Sequence, residues 1–153
     1  MPILNNATSP DGYGVEDSLE ALTELHTLSV DTLRGFETMV DKAQPKFKPV
    51  AERFSALHTR HVARLDTMVR EMGGVPDVDG SLMGLANTAI VSLRAMVDDI
   101  DDDAMDRIRN GERNVLAAFD RSLEASLPQG HNEALAQMRA ELSSLLDETR
   151  HVG

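Results

Sequence analysis

The chain has 153 residues, 26 of them acidic and 15 basic, for a net charge of −11. A surface that negative repels phosphate backbones and anionic lipid, which argues against nucleic acid and membrane surfaces as partners. Cysteine is absent, which removes disulfides, thiolate catalysis and thiolate-held zinc or iron–sulfur sites.

Residues 1–14 carry Pro2, Pro10, Gly12 and Gly14 among small polar residues and are expected to be a flexible tail preceding one domain over 15–153. With neither a basic n-region nor an apolar h-region, the start is not expected to be a signal peptide, and a cytoplasmic location is expected. Aromatic residues make up 3 % of the chain, so its core must come from Leu, Val, Ile, Ala and eight Met. That composition suits helices better than strands.

Asp17 and Glu20 have capping-box spacing and open a first helix that runs to about Ala43. Its stripe is Leu22, His26, Ser29, Leu33, Phe36, Val40 and Ala43, in alternating steps of four and three residues. This is a bundle seam with two polar residues in it. Pro45 and Pro49 mark a tight turn and the first turn of a second helix, which runs to Met72 and stops at Gly73-Gly74, ahead of Pro76. The second seam is Phe47, Val50, Phe54, Leu57/His58, His61, Leu65, Met68 and Met72. Both helices are about 40 Å long at a rise of about 1.5 Å per residue, and their short connection makes them an antiparallel hairpin.

A shorter helix is expected from Ser81 to about Val97, carrying the chain across to a second hairpin. The acidic run Asp98, Asp99, Asp101, Asp102 and Asp103 follows. It lacks the spacing and the Gly of an EF-hand and reads as the acidic start of a helix. The third helix runs to about Ser126 with Met105, Ile108, Glu112, Val115, Phe119 and Ser122 inward. After Leu127-Pro128-Gln129-Gly130, a fourth helix turns in Leu135, Met138, Leu142, Leu145/Leu146 and Thr149. The methionines at apolar positions fill core rather than bind copper.

Two hairpins joined by one crossover resemble the ferritin-like superfamily, and more narrowly a bacterial branch of unknown function distantly related to rubrerythrin. Arg34-Gly35-Phe36, Met72-Gly73-Gly74-Val75-Pro76, Asn110-Gly111-Glu112 and Leu127-Pro128 carry the likeness, which covers about residues 17–150. It implies an all-α, ferritin-like four-helix bundle with a short fifth helix in the crossover. Members with a di-metal centre supply a Glu from two helices and Glu-x-x-His from the other two. Here His58 stands at the Glu position of the second helix's motif, with His61 as its His, and Glu112 matches the lone carboxylate of the third helix. Glu141 falls where the fourth helix's Glu belongs, but Ser144 replaces the His. Glu148-x-x-His151 has the right spelling off the apolar face. In the first helix Glu37 borders the seam and Asp31 lies on the polar face. The full di-iron set is therefore absent.

His58 and His61 lie about 60° apart at about 100° per residue, both within the apolar arc of their helix. Two imidazoles so placed suit one metal ion. Antiparallel counting sets residues 28–31 opposite them, with Ser29 inward and His26 one turn away. A metal site of His58, His61 and Glu112, with His26 or water completing it, suits iron or zinc. The carboxylates are too few for a ferroxidase, so an enzyme is not expected. The alternative is a metal-free homodimeric bundle, structural or stress-related, in which a histidine bridges Glu112 and Ser29 in a buried network that fixes helix register. A third reading has a second chain completing the site.

Overall fold

The computed structural model describes residues 15–42, 45, 47–76, 104–125 and 127–150. Among these residues the chain forms four α-helices and no strand: α1 (Val15–Lys42), α2 (Lys48–Glu71), α3 (Ala104–Glu124) and α4 (Gln129–Glu148). The expected tail over 1–14, the fifth helix over 81–97, the acidic run at 98–103 and His151 lie outside the described residues.

The helix ends follow from local chemistry. Pro49 stands in the first turn of α2, where a missing N–H leaves no bond unmade. At its other end the Gly73 N–H bonds the Arg70 carbonyl at 3.0 Å and the Gly74 N–H bonds that of Val69 at 2.9 Å. With Gly73 at φ +88°, this pair of bonds is a Schellman stop. Just past the end of α4, the carbonyls of Thr149 and Arg150 accept from the guanidinium of Arg109 on α3.

α1 packs on α2 and α3, and α4 packs on α3 and α2. α2 and α3 therefore stand on one diagonal of the bundle. Contacts between helix ends set the directions. Ser18 near the start of α1 donates to the Ala125 carbonyl just after α3. Arg53 early in α2 pairs with Glu148 at the end of α4, while Glu71 at the end of α2 faces His131 at the start of α4. α1 thus runs against α2 and α3, and α4 runs against both of them. α2 and α3 are therefore parallel to each other, so the end of α2 and the start of α3 lie at opposite ends of the bundle.

The seams read from sequence are buried nearly throughout: Phe54, Leu65, Met105, Ile108, Val115, Phe119, Leu135 and Leu142 are each at most 1 % exposed. α1 departs from its expected stripe. Leu25 and Met39 are fully buried, whereas Leu33 and Val40 are only half-buried. The stacked rings of Phe36 and Phe54, 5.0 Å apart, join α1 to α2, and Leu25 and Met39 share the core cluster with them. Every residue from Leu25 to Thr32 is buried, so the helix is enclosed all round there. Asp31, assigned to the polar face from sequence, is 1 % exposed.

Candidate functional site

The polar side chains of the seams gather midway along the bundle. His58 and His61, one turn apart on α2, are 0 % and 2 % exposed. From α3, the Glu112 carboxylate places Oε1 2.7 Å from His58 Nε2 across the diagonal, itself 1 % exposed. From α4, Glu141 places Oε1 2.9 Å from His61 Nε2. Each histidine thus faces one carboxylate, and the two carboxylates come from different helices.

Rings fix the histidines in place. Phe36 lies against both Phe54 and His58, stacking on the imidazole at a centroid distance of 5.8 Å. Phe119 of α3 meets His61 edge-on at 6.0 Å. The two imidazoles are themselves nearly perpendicular, with centroids 6.4 Å apart. Counting from the turn had set Ser29 opposite this pair. Phe36 is instead the ring on His58, because its side chain fills the space between two successive turns of α2.

Burial holds the His61 pKa below its usual value of 6.5, outweighing the Glu141 hydrogen bond that raises it, with His58 lowering it further. His61 is therefore a neutral imidazole at pH 7, with one nitrogen lone pair available to a Lewis acid. Several buried polar atoms accept or donate no hydrogen bond among the described residues: Nδ1 of both histidines, Glu112 Oε2, Ser29 Oγ and Ser122 Oγ. Buried polar atoms without partners are uncommon in folded proteins and point to an unseen ligand, water or ion.

Of the four residues expected as ligands, the structure brings together His58, His61 and Glu112. His26 is fully buried but sits toward Asp66, its Nε2 4.0 Å from Oδ2. Ser29 is buried, yet no histidine hydrogen-bonds to it among the described residues, so the expected bridge from Glu112 to Ser29 is not made. Glu37 is exposed, and Glu148 is on the surface with Arg53. Glu141 was not assigned to the site from sequence. It comes three residues after Met138 and four before Leu145, at the edge of the apolar arc of α4, and the family likeness sets it where the fourth helix's Glu belongs, without the His that completes the motif.

Among the described residues, no three His, Asp or Glu side chains surround a single point ready to hold a metal ion. The donors form two pairs. Two imidazoles on one tetrahedral ion, at Zn–N distances of about 2.0–2.1 Å, have ring centres roughly 5 Å apart. The observed 6.4 Å is wider, so one ion held by both rings requires them to draw closer.

No described helix is long and apolar enough to cross a membrane. Residues 17–125 match a family described as a domain of unknown function (DUF2383), and the chain belongs to that family. The match takes in His58, His61 and Glu112 and ends before Glu141. No curated protein and no solved structure matches the chain.

Proposed function

We propose that this protein is a ferritin-like bundle that binds a single iron or zinc ion through His58, His61 and Glu112, with Glu141 as fourth ligand. The observation that carries this reading is the pairing of two buried histidines, one turn apart, with carboxylates from two further helices. Two imidazoles and two carboxylates form a donor set of net charge −2, which one divalent ion neutralises. The unpartnered Oε2 of Glu112 is a buried acceptor that such an ion satisfies. The parallel run of α2 and α3, one from each antiparallel hairpin, supports the ferritin-like topology. His26 is left out of the ligand set because its Nε2 lies toward Asp66.

The test is elemental analysis of protein purified without chelator after growth with iron, manganese and zinc. About one ion per chain is expected, as for a mononuclear centre, and it is lost in the His58→Ala, His61→Ala double variant. Glu141→Gln, at a partly exposed position, keeps the core intact and weakens binding. Absence of metal in the wild type, together with an unchanged melting temperature on adding each ion, overturns the reading.

A second reading has one observation in its favour: both Nε2 atoms already have a carboxylate partner. The layer is then a metal-free device that sets the register of a homodimeric bundle. In that case the double-histidine variant loses the same stability with and without metal.

A further inference from the structure

The interface between α2 and α4 is the loosest of the four between neighbouring helices. Small side chains leave a groove of about 520 Å³ there, with Arg53, Ala56 and Arg60 on one wall and Ala140, Glu141 and Ser144 on the other. A second groove follows on the same seam toward the start of α4, lined by Ala63, Arg64, Thr67 and His131 among others. Only the first contains a residue bonded to the buried histidines. The Glu141 side chain is 41 % exposed, while the His61 ring it contacts is 3 % exposed. Here a side chain open to solvent hydrogen-bonds directly to the buried layer. The His58–Glu112 pair offers no such approach, with side chains 0 % and 1 % exposed.

We infer that the groove between α2 and α4 is the entrance to the buried layer, and that Glu141 meets an incoming divalent cation at its mouth and passes it to His61. This rests on the ion reading and adds a route and a carrier to it. A flexible carboxylate half in water captures a hydrated cation without first desolvating it, and one rotation brings that cation to the neutral imidazole. Arg60 lines the same groove on the wall opposite Glu141. Its polar contact is a 3.4 Å approach to the Ala56 carbonyl, and it forms no ion pair among the described residues. Its positive charge slows the approach of free cations, so the route predicts opposite effects at two neighbouring residues.

The experiment follows Co²⁺ uptake by chelator-stripped, full-length protein, using stopped-flow absorption for the rate and equilibrium titration for affinity. Ala140→Trp places a large ring in the first groove at an exposed position, and Ala56→Trp does so from the opposite wall. Ala63→Trp fills the second groove as a control. The chain has no tryptophan of its own, so the fluorescence of each new ring also reports whether the variant is folded. Plugging the first groove is expected to slow uptake at least tenfold with affinity within about twofold of wild type, as expected when access rather than the site is altered. The control leaves the rate unchanged, Glu141→Gln slows uptake, and Arg60→Gln speeds it. Uptake indifferent to both plugs, or slowed equally by the control, overturns the route alone. A wild-type chain that takes up no Co²⁺ overturns the ion reading and the route together.

Discussion

His58 and Glu112 meet across the diagonal of the bundle, Nε2 to Oε1 at 2.7 Å, with side chains 0 % and 1 % exposed. Diagonal helices reach each other only through the bundle axis, so this pair occupies its centre, where apolar side chains otherwise belong. Because α2 and α3 run parallel, their residues at similar depth from the same end come level there. An isolated ionised carboxylate in that place is strongly unfavourable. The imidazole makes it tolerable.

Removing one partner is therefore expected to cost more than removing both. His58→Leu leaves the Glu112 carboxylate buried without its partner, a loss of about 3–5 kcal/mol by analogy with broken buried pairs. Glu112→Leu leaves an imidazole nitrogen without its carboxylate partner, a loss of about 1–3 kcal/mol. The double variant, with two apolar side chains filling the space, should recover most of the His58→Leu loss. Urea unfolding of the metal-free proteins measures all three, and a double variant as unstable as the sum of the singles would show the pair is not coupled.

His61 gives the metal-free protein a pH dependence of defined sign. Burial lowers its pKa in the folded state below 6.5, so the unfolded chain takes up this proton first. The stabilisation is complete above about pH 6.5 and is lost as pH falls toward the lower folded value, below which the loss levels off. Melting temperatures between pH 7.5 and 5.5 should decline in the wild type and decline less in His61→Gln. Glu141→Gln weakens a contact that raises the His61 pKa, so its decline should be the steeper one. An identical slope in His61→Gln and the wild type would assign the dependence to other groups.

Sequence periodicity was a good guide to α2, α3 and α4 because their apolar residues, rings included, return at regular helical intervals. It was a poorer guide to α1. There Leu25 and Met39 are fully buried while the expected Leu33 and Val40 are only half-buried, because apolar residues flank both edges of the stripe and spacing alone does not choose between them. The histidines and Glu112 were legible because polar residues in an apolar seam stand out against their neighbours. Glu141 was only half legible: the family likeness set it at the fourth helix's Glu position, but Ser144 in place of the His and a seat at the margin of an apolar arc hid its contact with His61. Asp31 escaped for a related reason, because helical spacing within α1 does not say what encloses the far side of that helix.

Two glycines carry predictions of opposite sign. Gly111 lies within α3 with its surface exposed, and a Cβ built there meets no atom within 4 Å. Glycine inside a helix is about 0.5–1 kcal/mol less favourable than alanine, because the unfolded chain loses more freedom on folding. Gly111→Ala should therefore stabilise the protein by roughly that amount, provided the adjacent Glu112 keeps its bond to His58. Gly73 also has open space around its Cβ position, but its φ of +88° is one that alanine adopts only with strain. Its N–H and that of Gly74 close the end of α2 onto Arg70 and Val69, so a change of φ would break both bonds. Gly73→Ala should destabilise by about 1 kcal/mol or more. Equal shifts of the same sign in thermal unfolding would mean that backbone conformation does not decide the outcome at these two positions.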